Sequence, residues 1–198
     1  IFGKQGHVAY PEHAKNPINI AADLVQHWHH ARWEASIPKP FPPSQWVCTA
    51  LHSDDVANNV IPTWAEITFN IRHTPNTTPK QLQQSMTAHL NACQFQHAWQ
   101  AWRPSPGGAF LSTNGALTDA LSQATLDICG IYPEKRVDGG TSDGRFIHAI
   151  CEEVIEMGFC RGLAHHVDEA VPLQDIERLV AIYYRTIENY FGHATSTS

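Results

Sequence analysis

The sequence predicts an α+β fold divided into two units, and three observations carry that prediction. Ala65, Ile67, Phe69 and Ile71 alternate with Glu66, Thr68, Asn70 and Arg72, the two-residue period of a strand covered on one face. Asn16-Pro17 and Thr78-Pro79 each set a capping side chain before a proline at the first helical position. Pro104-Ser105-Pro106-Gly107-Gly108 concentrates residues that interrupt helices and strands alike, and it marks a boundary near residue 105.

In chain order, the first helix carries Ile18, Ala21, Val25 and Trp28 at helical spacing and is expected to run to about Ala35. The Pro-Lys-Pro-Phe-Pro-Pro stretch at 38–43 must end it. Trp46 to Leu51 reads as a strand, followed by the alternating strand over 65–72. The second helix has Leu82, Met86, Leu90 and Cys93 on one stripe. Gln96 to Arg103 is expected to return as a further strand. Residues 1–105 thus read as a ferredoxin-like β-α-β-β-α-β unit with two helices on one sheet face.

Residues 106–198 read differently. Leu117, Leu121, Ala124 and Ile128 form a helical stripe that Gly130 terminates. A glycine-rich loop, Gly139 to Gly144, precedes a short apolar strand expected over Val154 to Met157. Ile176, Leu179, Val180, Tyr183 and Ile187 mark the last helix, and the tail from His193 to Ser198 reads as frayed. Two or three helices and few strands are too sparse for an independent α/β sheet. The half reads as the returning end of a domain that starts elsewhere. The opening Ile1-Phe2, running directly into a motif, supports the same expectation of a longer polypeptide.

Composition narrows the function. Thirteen basic against 19 acidic residues give a net charge of −6, the wrong sign for a nucleic-acid or anionic-membrane binder. Apolar residues at 42% supply a core, while only 16% of the chain is charged, against about 25% ordinarily. With six tryptophans, such a chain is expected to bury surface against a partner, with Trp28 and Trp33 near the end of the first helix as candidate contact aromatics. No apolar run approaches the roughly 18 residues of a membrane span. Cys48, Cys93, Cys129, Cys151 and Cys160 are odd in number and form no CxxC, so free thiols in a reducing cytoplasm are the simple reading. The 13 histidines include no HExxH, and His27, His29, His30, His89 and His97 read as scattered over helix faces.

Four segments could carry chemistry. In Gly3-Lys4-Gln5-Gly6-His7-Val8-Ala9-Tyr10-Pro11, two glycines would let the backbone approach a ligand and present His7 at a sheet edge; the alternative is a solvated hairpin histidine. Asn58-Asn59-Val60-Ile61-Pro62 is a turn by composition, and an Asn amide there could donate to a developing oxyanion. Gly139-Gly140-Thr141-Ser142-Asp143-Gly144-Arg145-Phe146 offers backbone amides and two hydroxyls as a cradle for an anion, or is a tight turn capped by Asp143. Ala164-His165-His166-Val167-Asp168-Glu169 sets imidazoles beside carboxylates, as a zinc ligand and its orienting partner would be, although a catalytic zinc needs about three protein ligands.

Taken together and in this order, GKQGHVAYP, NNVIP with the following FNIR, GGTSDGRF and the His165–Glu169 segment resemble the succinyl-diaminopimelate desuccinylases of the dinuclear-zinc aminoacylase and carboxypeptidase family. The resemblance implies a parent about twice this length. Residues 1–105 would be its lid, or dimerisation, domain and 106–198 the C-terminal segment of its α/β zinc-hydrolase catalytic domain. It implies that His7 reaches the neighbouring subunit's active site in a homodimer, with Asn59 beside it, both stabilising the tetrahedral oxyanion. Tyr10 and Arg72 would hold polar and carboxylate groups of N-succinyl-diaminopimelate, and Gly140 and Thr141 would border it. His165 would ligate one of two zinc ions, for which cobalt could substitute. The family's usual P-x-N-x-T-I-H pattern is absent. Arg161 stands at its Asn position, where it could contact a carboxylate, and Asp168 replaces a common Asn. The general base and remaining zinc ligands of that family lie upstream of its lid. This chain alone is therefore expected to be inactive and to bind zinc weakly. A related acylase, such as an acetylornithine deacetylase, is the alternative; a dimerisation module with idle motifs is another.

Overall fold

The computed structural model describes residues 1–192 apart from Asp138, Cys160, Arg161 and Leu163. The expected frayed tail at 193–198 lies outside them. The chain separates into two compact units, Ile1–Ala109 and a second beginning at Phe110.

In the first unit, α1 (Pro17–His30) starts where the sequence says, with Asn16 Oδ1 accepting from the Ile18 amide at 3.0 Å. Ile20, Ala21, Leu24 and Trp28 recur at helical spacing and are buried. The helix stops at His30 and does not reach Ala35. Arg32 bonds the Glu34 and Ala35 carbonyls at 3.1 and 3.0 Å, holding this segment out of the helix. The Glu34 carboxylate in turn accepts from the Ser44 amide and hydroxyl, at 2.9 and 2.8 Å, and delivers the chain to β2 (Gln45–Ser53).

β2 pairs antiparallel with β4 (Ala65–Arg72), and a bulge between Cys48 and Ala50 shifts the register by one residue. Before the bulge, Trp46 faces Ile71 and Cys48 faces Phe69; after it, Leu51 faces Ile67. The predicted alternation of β4 thus lies against α1 and α2 (Pro79–Ala92). A reciprocal capping box opens α2, in which the Gln81 amide donates to Thr78 Oγ1 and the Thr78 amide to Gln81 Oε1. Ile20, Leu24, Trp28, Trp46, Met86 and Leu90 form the core. Trp28, whose position near the end of α1 suggested a dimer-contact aromatic beside Trp33, is only 4% exposed and stacks obliquely on Trp46 at 5.6 Å. It is a core residue, and Trp33 is half-buried against the same cluster.

The strand expected over Gln96–Arg103 does not form. Trp99 and Trp102 are three residues apart, so a strand would put them on opposite faces. An irregular path lets both reach Phe69, at 6.3 and 6.0 Å between rings, while Trp99 Nε1 donates to Thr87 Oγ1 at 3.1 Å. The unit keeps its α+β class, but its described strands form two two-stranded ladders, β1 (Gly6–His7) with β3 (Val60–Ile61) and β2 with β4.

The second unit packs α3 (Ala116–Cys129) against α5 (Leu173–Gly192), with Leu121, Ala124 and Ile182 at the contact; a short α4 (Gly144–Ile147) lies between them in sequence. Gly130 ends α3 in the left-handed conformation, φ 71°, its amide on the Leu126 carbonyl at 2.8 Å. Val154–Met157 is not a strand, because side chains have taken backbone groups a ladder would use. The Val154 amide donates to Ser112 Oγ at 2.8 Å, and the Tyr183 hydroxyl donates to the Met157 carbonyl. The stripe predicted for α5 is also displaced. Leu179, Ile182, Thr186 and Asn189 turn toward the rest of the unit, whereas Val180 and Ile187 remain 64% and 58% exposed. Among the described residues, no helix is long and apolar enough to cross a membrane.

Glu153 ties the two parts of this unit together. Its carboxylate accepts from the Leu117 and Thr118 amides, at 3.1 and 3.4 Å, and from the Thr118 hydroxyl, so it caps α3 from 35 residues away. Burial pushes its carboxyl up, but these hydrogen bonds outweigh burial and hold it below the ordinary carboxylate range. A lowered folded value means that the stabilisation is full above the unfolded Glu value near 4.3 and is lost as pH falls through the folded one. Glu153→Gln should therefore cost about 1 kcal/mol at neutral pH. Thermal melts of variant and wild type should converge as pH drops from about 6 to 3; a gap that stays constant would contradict the cap.

Candidate functional site

His7 and Asn59 are 52 positions apart in sequence and adjacent in space. Residues 1–8 run antiparallel to 59–65. Ile1 accepts from the Ala65 amide, Phe2 bridges Trp64, Gly6 faces Ile61, His7 faces Val60, and the Val8 amide donates to the Asn59 carbonyl at 3.1 Å. Between the Phe2–Trp64 and Gly6–Ile61 pairs, three residues oppose two. Pro62 lies there and has no amide to donate. On the other side Lys4 exchanges both backbone bonds with Lys15, each at 2.9 Å.

The glycines of the first motif serve this arrangement. A Cβ on Gly3 would lie 2.4 Å from the Lys15 carbonyl oxygen and 2.5 Å from Pro17 Cδ; one on Gly6 would lie 2.7 Å from Ala14 Cβ. They admit the chain's own backbone, where the sequence suggested a ligand. His7 and Asn59 are exposed, and Tyr10, 60% exposed, sets its ring 6.0 Å from the imidazole. The tight turn closes through the Tyr10 amide on the His7 carbonyl at 2.9 Å. Beyond β3, Asp54 accepts from the Thr63 amide at 2.8 Å and from its hydroxyl, pinning the loop that contains Asn59. Burial acts upward on Asp54, and the bonds from Thr63 and Trp64 outweigh it and lower its carboxyl. Arg72 sits apart from this group, at the far end of β4 opposite Gln45. It is seven residues, roughly 23 Å of strand, beyond Ala65.

The remaining candidates belong to the second unit. Gly140 and Thr141 are exposed, and space around the Gly140 Cα is open. The following turn is closed by Ser142, whose Oγ accepts from the Gly144 amide at 3.1 Å; Asp143, the expected cap, makes no capping bond. A Cβ on Gly144 would meet Glu156 Oε1 at 2.5 Å, so a protein carboxylate already fills the inner side of this turn. Neither Glu153 nor Glu156 carries a local motif that could have announced it. His165 is exposed, in the left-handed conformation at φ 63°, with its amide on Glu169 Oε2 at 3.1 Å. Arg161 lies outside the described residues. Among the described residues no three His, Cys, Asp or Glu side chains cluster as metal ligands would. The residues present do not by themselves fit a zinc centre, since one imidazole leaves most of the ion's coordination to water.

Residues 1–97 match the family profile of the peptidase dimerisation domain. This half of the chain belongs to that family. The likeness continues through the second unit. The chain is 40% identical over 188 residues to a succinyl-diaminopimelate desuccinylase of Leptothrix cholodnii, covering 95% of this chain and 48% of that protein. It is 38% identical over 194 residues to one of Thiobacillus denitrificans, covering 98% and 49%. Among solved structures, a tripeptidase of Staphylococcus aureus superposes with a TM-score of 0.68 at 18% identity, over 96% of this chain and 49% of that one. The aminopeptidase PepT of Bacillus cereus gives 0.61 at 14%, over 96% and 50%. These two share the fold. The chain spans about half the length of the curated relatives it matches, and the resemblance read from its four motifs holds along nearly all of it.

The close approaches at the peptidase dimerisation domain's glycines make a paired prediction. Gly3→Ala should destabilise the protein by about 1–3 kcal/mol, because its Cβ would collide with backbone. Gly140→Ala should change stability by less than about 0.5 kcal/mol. Denaturant unfolding of both variants checks the contrast, and equal effects would contradict it.

Proposed function

We propose that this chain is part of a metal-dependent amidohydrolase that removes succinate from N-succinyl-LL-2,6-diaminopimelate, a step toward lysine and peptidoglycan precursors. Residues 1–105 are its lid and dimerisation domain, and 106–198 are the C-terminal segment of its catalytic domain. The observation that carries the reading is the antiparallel pairing that sets His7 beside Asn59 in a peptidase dimerisation domain. Both residues are exposed at the same end of this ladder, and imidazole and amide N–H groups are donors of the kind that a developing tetrahedral oxyanion needs. Tyr10, one turn on, and Arg72 hold polar and carboxylate groups of the substrate, Gly140 and Thr141 border it, and Arg161 contacts a carboxylate.

His165 is the only metal ligand this chain offers in that reading, and the upstream half of the parent supplies the others and the general base. The metal is zinc. The exposed apolar face of α5, with Val180 and Ile187 uncovered, supports a missing half that packs on it. The parent works as a homodimer in which His7 serves the neighbouring subunit.

In the full-length parent, His7→Ala should lower kcat by roughly 10²–10³, equivalent to about 2.7–4 kcal/mol, with little change in KM. The donor bond strengthens only as charge develops on the carbonyl oxygen. Steady-state kinetics on the succinyl substrate checks this, and an unchanged kcat would remove His7 from the site. Preference for an acetyl substrate would instead assign the parent to the deacylases.

A further inference from the structure

The Ala9 amide donates to His7 Nδ1 at 3.0 Å. A backbone N–H can only donate, so the nitrogen that receives it must hold a lone pair. In a neutral imidazole the proton then belongs to Nε2. We infer that the Ala9 amide locks His7 as its Nε2–H tautomer, so that the ring meets substrate as a fixed hydrogen-bond donor and not as a base at Nδ1.

The turn is built to supply this bond. Three successive amides each have a different acceptor: Val8 on the Asn59 carbonyl, Ala9 on the imidazole, and Tyr10 on the His7 carbonyl, at 3.1, 3.0 and 2.9 Å. Pro11 has no amide to compete. The first bond fixes the strand, the third closes the turn, and between them the second is aimed at the ring. Among the described residues, Nε2 forms no hydrogen bond, and the side chain is exposed. Its N–H is therefore available to a ligand oxygen.

The chemical consequence concerns the ligand class. An Nε2–H donor recognises a carbonyl or carboxylate oxygen and is mismatched to an amine or amide N–H. Proton abstraction through Nδ1 would require the Ala9 bond to break first. The functional use of the donor rests on the hydrolase reading above, whereas the tautomer rests on the turn alone. Ala9 acts here through its backbone, as a positioning residue.

The test is nitrogen NMR on the chain itself, uniformly ¹⁵N-labelled, above the pH range in which imidazoles titrate. His7 is assigned by comparison with His7→Gln. The expected result is a single tautomer with Nδ1 unprotonated and a scalar coupling across the hydrogen bond between the Ala9 nitrogen and His7 Nδ1. A mixture of tautomers like that of a free imidazole, or a proton on Nδ1, with no such coupling, would overturn the inference. Ala9→Pro removes the donor and should abolish the coupling, but the measurement on the unaltered chain decides without it. The functional reading fails separately: a locked tautomer together with an unchanged kcat in the His7→Ala parent would leave the inference standing and remove the oxyanion role.

Discussion

The site depends on a short antiparallel pairing, residues 1–8 against 59–65. A two-residue ladder such as β1 with β3 is marginal alone, since isolated hairpins of this size barely hold in water. It persists because it is secured from both sides. Lys4 and Lys15 exchange backbone bonds on one flank, and Asp54 fixes Thr63 on the other. Gly3 and Gly6 let the strip sit directly on the segment that leads into α1. Because side chains alternate between faces, a slip of one residue would separate His7 from its present neighbours. The position of the imidazole is thus a property of backbone packing, and its own side chain contributes only the bond from Ala9.

Local chemistry made much of the fold legible in the sequence. Asn16-Pro17, Thr78-Pro79 with Gln81, and Gly130 mark helix ends because caps act within four residues. The period-2 pattern of β4 survives because one of its faces is covered. Where tertiary contacts decided, the sequence misled. Trp99 and Trp102 follow Phe69 and not the strand period, and Arg32 and Glu34 draw the chain out of α1 before Ala35. The apolar stripe of α5 is legible, yet the face covered within its own unit is a neighbouring one, through Ile182 and Thr186, because periodicity marks apolar positions without naming what packs on them.

The candidate site was less legible from spacing. His7 and Asn59 have no periodic relation, and only the resemblance of four motifs joins them; the ladder brings their backbones side by side through the Val8 amide on the Asn59 carbonyl. The glycines beside His7 suggest room for a ligand in sequence, but the space belongs to Ala14, Lys15 and Pro17. Asp54, Glu153 and Glu156 are not legible in the sequence, because a carboxylate that acts on a distant segment leaves no local signature. Asp54 holds the loop that carries Asn59, Glu156 lies against the turn at Gly144, and Glu153 caps α3.

The central claim is that the strip presents His7 to a neighbouring subunit's catalytic centre. Mixing two full-length parents tests it most directly, one carrying His7→Ala and the other a substituted upstream metal ligand. If His7 acts across the dimer, each heterodimer contains one complete site. Subunit exchange should then restore about a quarter of wild-type activity, since half of the dimers are mixed and each has one of two sites intact. If His7 acts within its own subunit, no mixed dimer has a complete site. Activity no greater than the sum of the two separate mutants would contradict the account.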